Sequence, residues 1–147
     1  MKNALALSFV CALGLAACGA PADEPAQEET PPPPAAFTVT ILEPAEGSEV
    51  VGPVVTVRLA ATVPILPAGD LTPNTGHHHL YLDADQSPAM VPVPTVPGSI
   101  MHMGNAASEF RFDSVQPGTH RLIAVVADGV HVPLQPWVVD TVNFIVR

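Results

Sequence analysis

Proline recurs eighteen times along the chain. Each one removes a backbone donor, and its ring clashes with the preceding turn, so a long helix has little room anywhere. Between the prolines the pattern has period two. Phe37-Thr38-Val39-Thr40-Ile41 alternates apolar and polar residues, as a half-buried strand does. Further strands are expected over Val54 to Val63, His77 to Asp83, Glu109 to Asp113, His120 to Ala127 and Val138 to Val146. Gly52-Pro53 marks a bulge or a strand switch. Pro117-Gly118 and Asp128-Gly129 are turns, and Gln86 to Gly98, with Pro88, Pro92, Pro94 and Pro97, reads as a long surface crossover. No segment sustains a 3.6-residue period. Short strands with turn signals at this spacing predict an all-β domain over residues 37–147, an immunoglobulin-like antiparallel β-sandwich of about seven strands.

The N-terminus reads differently. Lys2 supplies a positive start, and the apolar stretch from Ala4 to Leu15 is shorter than the roughly 20 residues that span a bilayer. It suits the core of a secretory signal. The stretch ends in Leu15-Ala16-Ala17-Cys18-Gly19, which looks like a bacterial lipobox. Residues 1–17 are therefore expected to be a lipoprotein signal peptide, with Cys18 as the lipidated residue. Cys11 leaves with the signal, so the mature chain keeps no pair for an intrachain disulfide. Residues 18–36 carry Asp23, Glu24, Glu28, Glu29 and four consecutive prolines, Pro31 to Pro34. Nothing there can bury a core, so this part is expected to be a disordered, acidic, Pro-rich tether.

Charge narrows the partners. Five Lys and Arg stand against fourteen Asp and Glu, a net charge of −9. That balance argues against nucleic acid and against electrostatic docking on anionic lipid. The expected membrane contact is the N-terminal lipid anchor, on the bacterial cell envelope at the outer-membrane, periplasmic or surface face, and an envelope protein is the other partner considered.

Histidine is where chemistry concentrates. In Thr75-Gly76-His77-His78-His79-Leu80-Tyr81-Leu82-Asp83, strand alternation sets His77, His79 and Tyr81 on one face and His78, Leu80 and Leu82 on the other. His77 and His79 then lie about 6.8 Å apart along the strand, close enough to converge on one metal ion. Met101-His102-Met103, read as a loop, offers a third imidazole together with soft thioethers, and His131, after the Asp128-Gly129 turn, offers a fourth. Thioethers favour Cu(I), while imidazole suits Cu(II) and Zn(II). No H-x-x-x-H or C-x-x-C spacing supports a zinc motif. Glu109 is the carboxylate that could orient an imidazole, and His78 stands behind the pair. His120 is expected to pack or make a surface contact, and Trp137 to pack under the His131 loop. Asp83 and Asp85 lack the Gly and distal Glu of a calcium loop.

Gly76-His77-His78-His79-Leu80, His102-Met103-Gly104 with Glu109, Pro117-Gly118-Thr119-His120 and Asp128-Gly129-Val130-His131-Val132-Pro133 resemble a family of exported bacterial proteins, the DUF4399 family. The resemblance runs over roughly Phe37 to Arg147 and includes the opening Leu42-Glu43-Pro44-Ala45-Glu46-Gly47. The chain departs from the family pattern at Asn105 and Ala107, where a basic residue and a Gln are common, and at Leu134 and Gln135, where a second His and an Asp are common. The resemblance implies a fold and the location of a site, with no activity attached.

These readings combine into one expectation. The chain is a lipid-anchored envelope protein whose histidine cluster binds copper or zinc, with His79, His102 and His131 as ligands, His77 as an auxiliary ligand, and His78 and Glu109 supporting them. It is expected not to be an enzyme, because no nucleophile–base pair can be read. The alternative is a structural or protein-interaction module in which the histidines only stabilise loops.

Overall fold

A computed structural model describes residues 36–147. The expected signal peptide, Cys18 and the expected tether up to residue 35 lie outside the described residues. Eight strands follow in order: β1 (Val39–Glu43), β2 (Glu49–Val50), β3 (Val55–Ala61), β4 (His77–Leu82), β5 (Ile100–Met103), β6 (Glu109–Phe112), β7 (Gly118–Ala127) and β8 (Val139–Val146). They form a three-stranded sheet, β1-β3-β6, and a five-stranded sheet, β2-β8-β7-β4-β5. Every pairing is antiparallel except β2 with β8, which is parallel. No helix occurs among the described residues. The expected all-β sandwich is the fold observed.

Alternation builds the layer between the sheets. Val55, Val57 and Leu59 point inward from β3, and Leu80, Leu82, Leu122, Ala124, Val126, Val142 and Phe144 meet them from the larger sheet. The intervening Arg58 and Ala60 are exposed, as a sheet with one wet face requires. An inter-sheet tie adds to this packing: the Asp140 carboxylate on β8 accepts the Ile41 amide of β1 at 2.8 Å.

β4 and the second half of β7 depart from that rule, since both are buried on both faces. Their sequences say why. Leu122-Ile123-Ala124-Val125-Val126-Ala127 is a continuous apolar run of the kind found in doubly covered strands. A second apolar cluster lies on the outer face of the five-stranded sheet, where Tyr81, Ile100, Ile123, Val125 and Ala127 meet Val93 and Trp137 from the loops. The Pro-rich segment 86–98 is irregular, as expected, but it is more than a surface crossover. Val93 is buried, and its amide is bonded to the His131 carbonyl at 2.8 Å. The sandwich therefore carries a partial third layer made of loops.

Two strands differ from the sequence reading. β2 is a two-residue strand, and the chain then passes Gly52-Pro53 to enter the other sheet as β3, the strand switch that this dipeptide suggests. Gly52 is needed there, because a Cβ would come within 2.5 Å of Val146 Cγ1 on β8. The larger correction concerns Met101-His102-Met103. It is no loop: it is the body of β5, an edge strand paired only with β4. Ile100, Met101, His102 and Met103 lack the β-branched and aromatic alternation that marks a strand, and their pairing comes from β4.

Leu122 is fully buried at the centre of β7. Leu122→Ala is expected to destabilise the domain by about 2–5 kcal/mol, lowering the denaturant midpoint with little change in its slope. A loss below about 1 kcal/mol would contradict this packing.

Candidate metal centre

The site grows from the pleat of β4. His77 and His79 face outward beneath the loop layer, and both are fully buried. His79 stands directly across from His102 of β5, so the pairing of these strands sets a third imidazole beside the first two. His77 pairs with Ala127, the last residue of β7. The chain turns there. Asp128 accepts the amides of Val130 and Val132 through Oδ1 at 3.0 and 2.9 Å, and its carbonyl accepts the His131 amide at 2.9 Å. This compact turn returns His131 over the end of the sheet, with its backbone left-handed at φ 71°. Few residues other than glycine adopt that conformation, histidine more readily than most, and the turn holds His131 in it.

Four imidazoles meet as a result. Ring centroids are 4.8 Å apart for His77 and His79, 4.9 Å for His77 and His102, and 5.0 Å for His77 and His131. The remaining pairs are 5.1 Å for His79 and His102, 5.5 Å for His79 and His131, and 4.6 Å for His102 and His131. Ligand atoms of His77, His79 and His102 lie within 4.8 Å of one another. The Nε2 atoms of His77 and His79 are 3.0 Å apart, a hydrogen bond that requires one ring to donate and the other to accept. Nδ1 of His77, Nδ1 of His79 and Nε2 of His102 are buried with no hydrogen-bond partner among the described residues.

Burial decides the protonation. It pushes His77 down to about 4 and His79 down to about 3, with the neighbouring imidazoles adding repulsion against a second positive charge. His102 is lowered by burial and by His131. His77, His79 and His102 are therefore neutral at pH 7, and each has a lone pair to offer a cation once the hydrogen bond between the His77 and His79 rings is given up. Imidazoles so arranged can hold one transition-metal ion, and no proton need be displaced from these three rings first.

Two supporting residues lie elsewhere. His78 faces the opposite way, into the inter-sheet core beside Leu80, where burial pushes it to about 4 and leaves Nδ1 unpartnered. It lies outside the ring cluster. Glu109 is on β6 of the other sheet, exposed, with Oε2 accepting Arg58 Nε at 3.1 Å. Its carboxylate is committed to a guanidinium and orients no imidazole. The carboxylate that acts on the cluster is Asp128, whose charge works against the burial of His77. Its signal in the sequence was the Asp-Gly-x-His spacing, which gives a turn and places a histidine at its exit. β5 also separates the two kinds of donor in Met101-His102-Met103. Met103 is buried in the inter-sheet core and Met101 packs against it, while His102 alone faces the cluster.

The other expectations resolve simply. His120 is held between Asp83 Oδ2 at 2.7 Å and the Gln116 carbonyl at 2.8 Å, and its ring lies 5.5 Å from that of Phe144. Trp137 packs against the outer-face apolar cluster. Gly104 supports the site by having no side chain, since a Cβ would fall 2.5 Å from His102 Cε1 and 2.7 Å from its Nε2.

A family model described as a domain of unknown function, DUF4399, matches residues 55–147, from β3 to the last residue and across all four clustered histidines. None of the curated proteins matches. Among solved structures, the endo-β-1,4-mannanase from Thermotoga petrophila is similar at 14% identity and a TM-score of 0.48, over 79% of this chain and 21% of that one. An engineered protein is similar at 13% identity and a TM-score of 0.43, over 78% of this chain and 21% of the other. This chain thus spans about a fifth of the length of each.

Two outcomes follow from the geometry. Above about pH 6.5 the folded and unfolded chains both hold His77, His78 and His79 neutral. Below it the unfolded chain takes up protons that the buried rings refuse, so the metal-free protein loses stability as pH falls from about 6.5 towards 4. Denaturant midpoints that stay level across that window would contradict the burial of these rings. Gly104→Ala is expected to push the His102 ring out of the cluster while the sandwich stays folded. The loss of nuclear Overhauser contacts between the His102 and His131 rings, with the core resonances kept, would report it.

Proposed function

We propose that this chain, which belongs to the DUF4399 family, is a lipid-anchored envelope protein that binds a transition metal, copper or zinc, without catalysing a reaction. The observation that carries the reading is the convergence of His77, His79 and His102, whose ligand atoms lie within 4.8 Å of one another. His131 joins them at ring-centroid distances of 4.6 to 5.5 Å. Imidazole is the commonest protein ligand for such ions. The ligands come from β4, from β5 and from the turn after β7, so one ion would join three parts of the chain. In this reading Cys18 supplies the anchor, the acidic Pro-rich segment is the spacer, and the sandwich presents the site.

The four rings also bear on the non-catalytic part of the proposal. A catalytic zinc centre keeps a coordination position for water or substrate beside about three protein ligands. With His131 as a fourth ligand beside His77, His79 and His102 the shell would be filled, which favours holding an ion over turning one over.

Calorimetric titration of Zn(II), Cu(II) and Cu(I) into the tag-free full-length chain tests the proposal. The expected result is one ion per chain at sub-micromolar affinity, lost when His79, His102 and His131 are changed together to Ala. Binding that survives the triple substitution would place the ion elsewhere. Absence of binding beyond weak surface association would overturn the metal reading and leave an envelope interaction module, in which the same substitutions lower only thermal stability.

A further inference from the structure

Resting on the metal-binding reading, we infer that the centre is a closed tetrahedral shell of four imidazoles, His77, His79, His102 and His131, built for a d10 divalent ion of the zinc type. The separations of the rings carry the inference. With a zinc–nitrogen bond of about 2.0–2.1 Å and roughly 1.2 Å from the ligating nitrogen to the ring centre, each centroid stands about 3.2 Å from the ion. Tetrahedral placement then sets all six centroid pairs about 5.2 Å apart. Square-planar placement, the preference of Cu(II), gives four pairs at about 4.5 Å and two diagonals at about 6.4 Å. The six pairs in this structure run from 4.6 to 5.5 Å, with no long diagonal. The ring centres stand at the corners of a nearly regular tetrahedron of about that size; the ligand nitrogens of His77, His79 and His102 lie within 4.8 Å of one another, and His131 completes the shell by turning its ring inward on the ion.

Donor chemistry points the same way. Cu(I) is drawn to thioether and thiolate sulfur. Met103 is directed into the inter-sheet core and Met101 packs on that same core, both by the alternation of β5. No cysteine occurs among the described residues. What remains at the site is imidazole alone, which suits Zn(II) and Cu(II) over Cu(I), and the spacing of the rings selects between those two. The fourth corner depends on the turn at Asp128, which holds His131 in its left-handed conformation. His131 is therefore the ligand that separates a closed four-coordinate shell from an open three-histidine one.

Co(II) is the probe, because its visible absorption is strong in a tetrahedral field and weak in a six-coordinate one. Added to the tag-free full-length chain, Co(II) is expected to give an intense visible spectrum that saturates at one equivalent and is bleached by one equivalent of Zn(II). His131→Asn keeps a residue that tolerates a left-handed backbone while removing the ring. It is expected to lower Zn(II) affinity by more than an order of magnitude and to change the Co(II) band intensity as solvent enters the shell. A weak six-coordinate spectrum, or an intense one untouched by His131→Asn, would overturn the closed tetrahedral shell even with metal binding confirmed by calorimetry. Failure of Co(II), Zn(II), Cu(II) and Cu(I) all to bind would overturn the metal reading itself, and this inference with it.

Discussion

Three consecutive histidines on a strand that is covered on both faces are an expensive arrangement, and the pleat of β4 decides where that cost goes. His78 is sent into the core between the sheets, and His77 and His79 are sent under the loops. Burial on either side denies all three a positive charge at neutral pH. Isolated, each ring would be a destabilising polar group in an apolar layer. His77 and His79 instead find His102 across the ladder and His131 above it, so their desolvation prepares a set of neutral donors in one place.

The loop layer makes that preparation possible. The amides of Val93, Ala68 and Gly69 are bonded to the carbonyls of His131, Gly104 and Gly129, at 2.8, 2.9 and 3.0 Å. Each bond pins a loop to a segment that carries or supports a histidine. Proline suits such a cover, because a residue without an N–H leaves no donor to satisfy when the backbone lies against a buried surface. The feature that excludes helices thus also helps irregular segments lie on the outer face of the sheet.

The sandwich was legible wherever β-branched residues alternate with polar ones, as in β1, β3 and β8. Doubly covered β7 was legible as a strand from its apolar run, but nothing local told what would cover its second face. β5 is not legible in the sequence, because Met101, His102 and Met103 carry no strand pattern of their own and owe their conformation to β4. The histidines could be named and sorted onto faces from period two alone. Their meeting could not be read, since it depends on strand order and on one turn, both set by distant packing. Glu109 illustrates the limit. Its nearness along the chain to His102 suggested support for an imidazole, yet the chain changes sheets between them and delivers it to Arg58. Asp128-Gly129 spells only a turn in the sequence, and that same turn carries His131 to the cluster.

The four rings stand on the outer face of the five-stranded sheet, and the packing that joins the two sheets lies on its inner face. The sheet thus stands between the inter-sheet core and an outer layer that packs a smaller apolar cluster beside the rings. Substitutions among His102, His131 and the loops around them can accumulate without passing through the interior that holds the sandwich together. A lineage, or a designer, can therefore retune the outer chemistry of this scaffold at His102 and His131, on the edge strand and the turn, while inheriting the inter-sheet core unchanged.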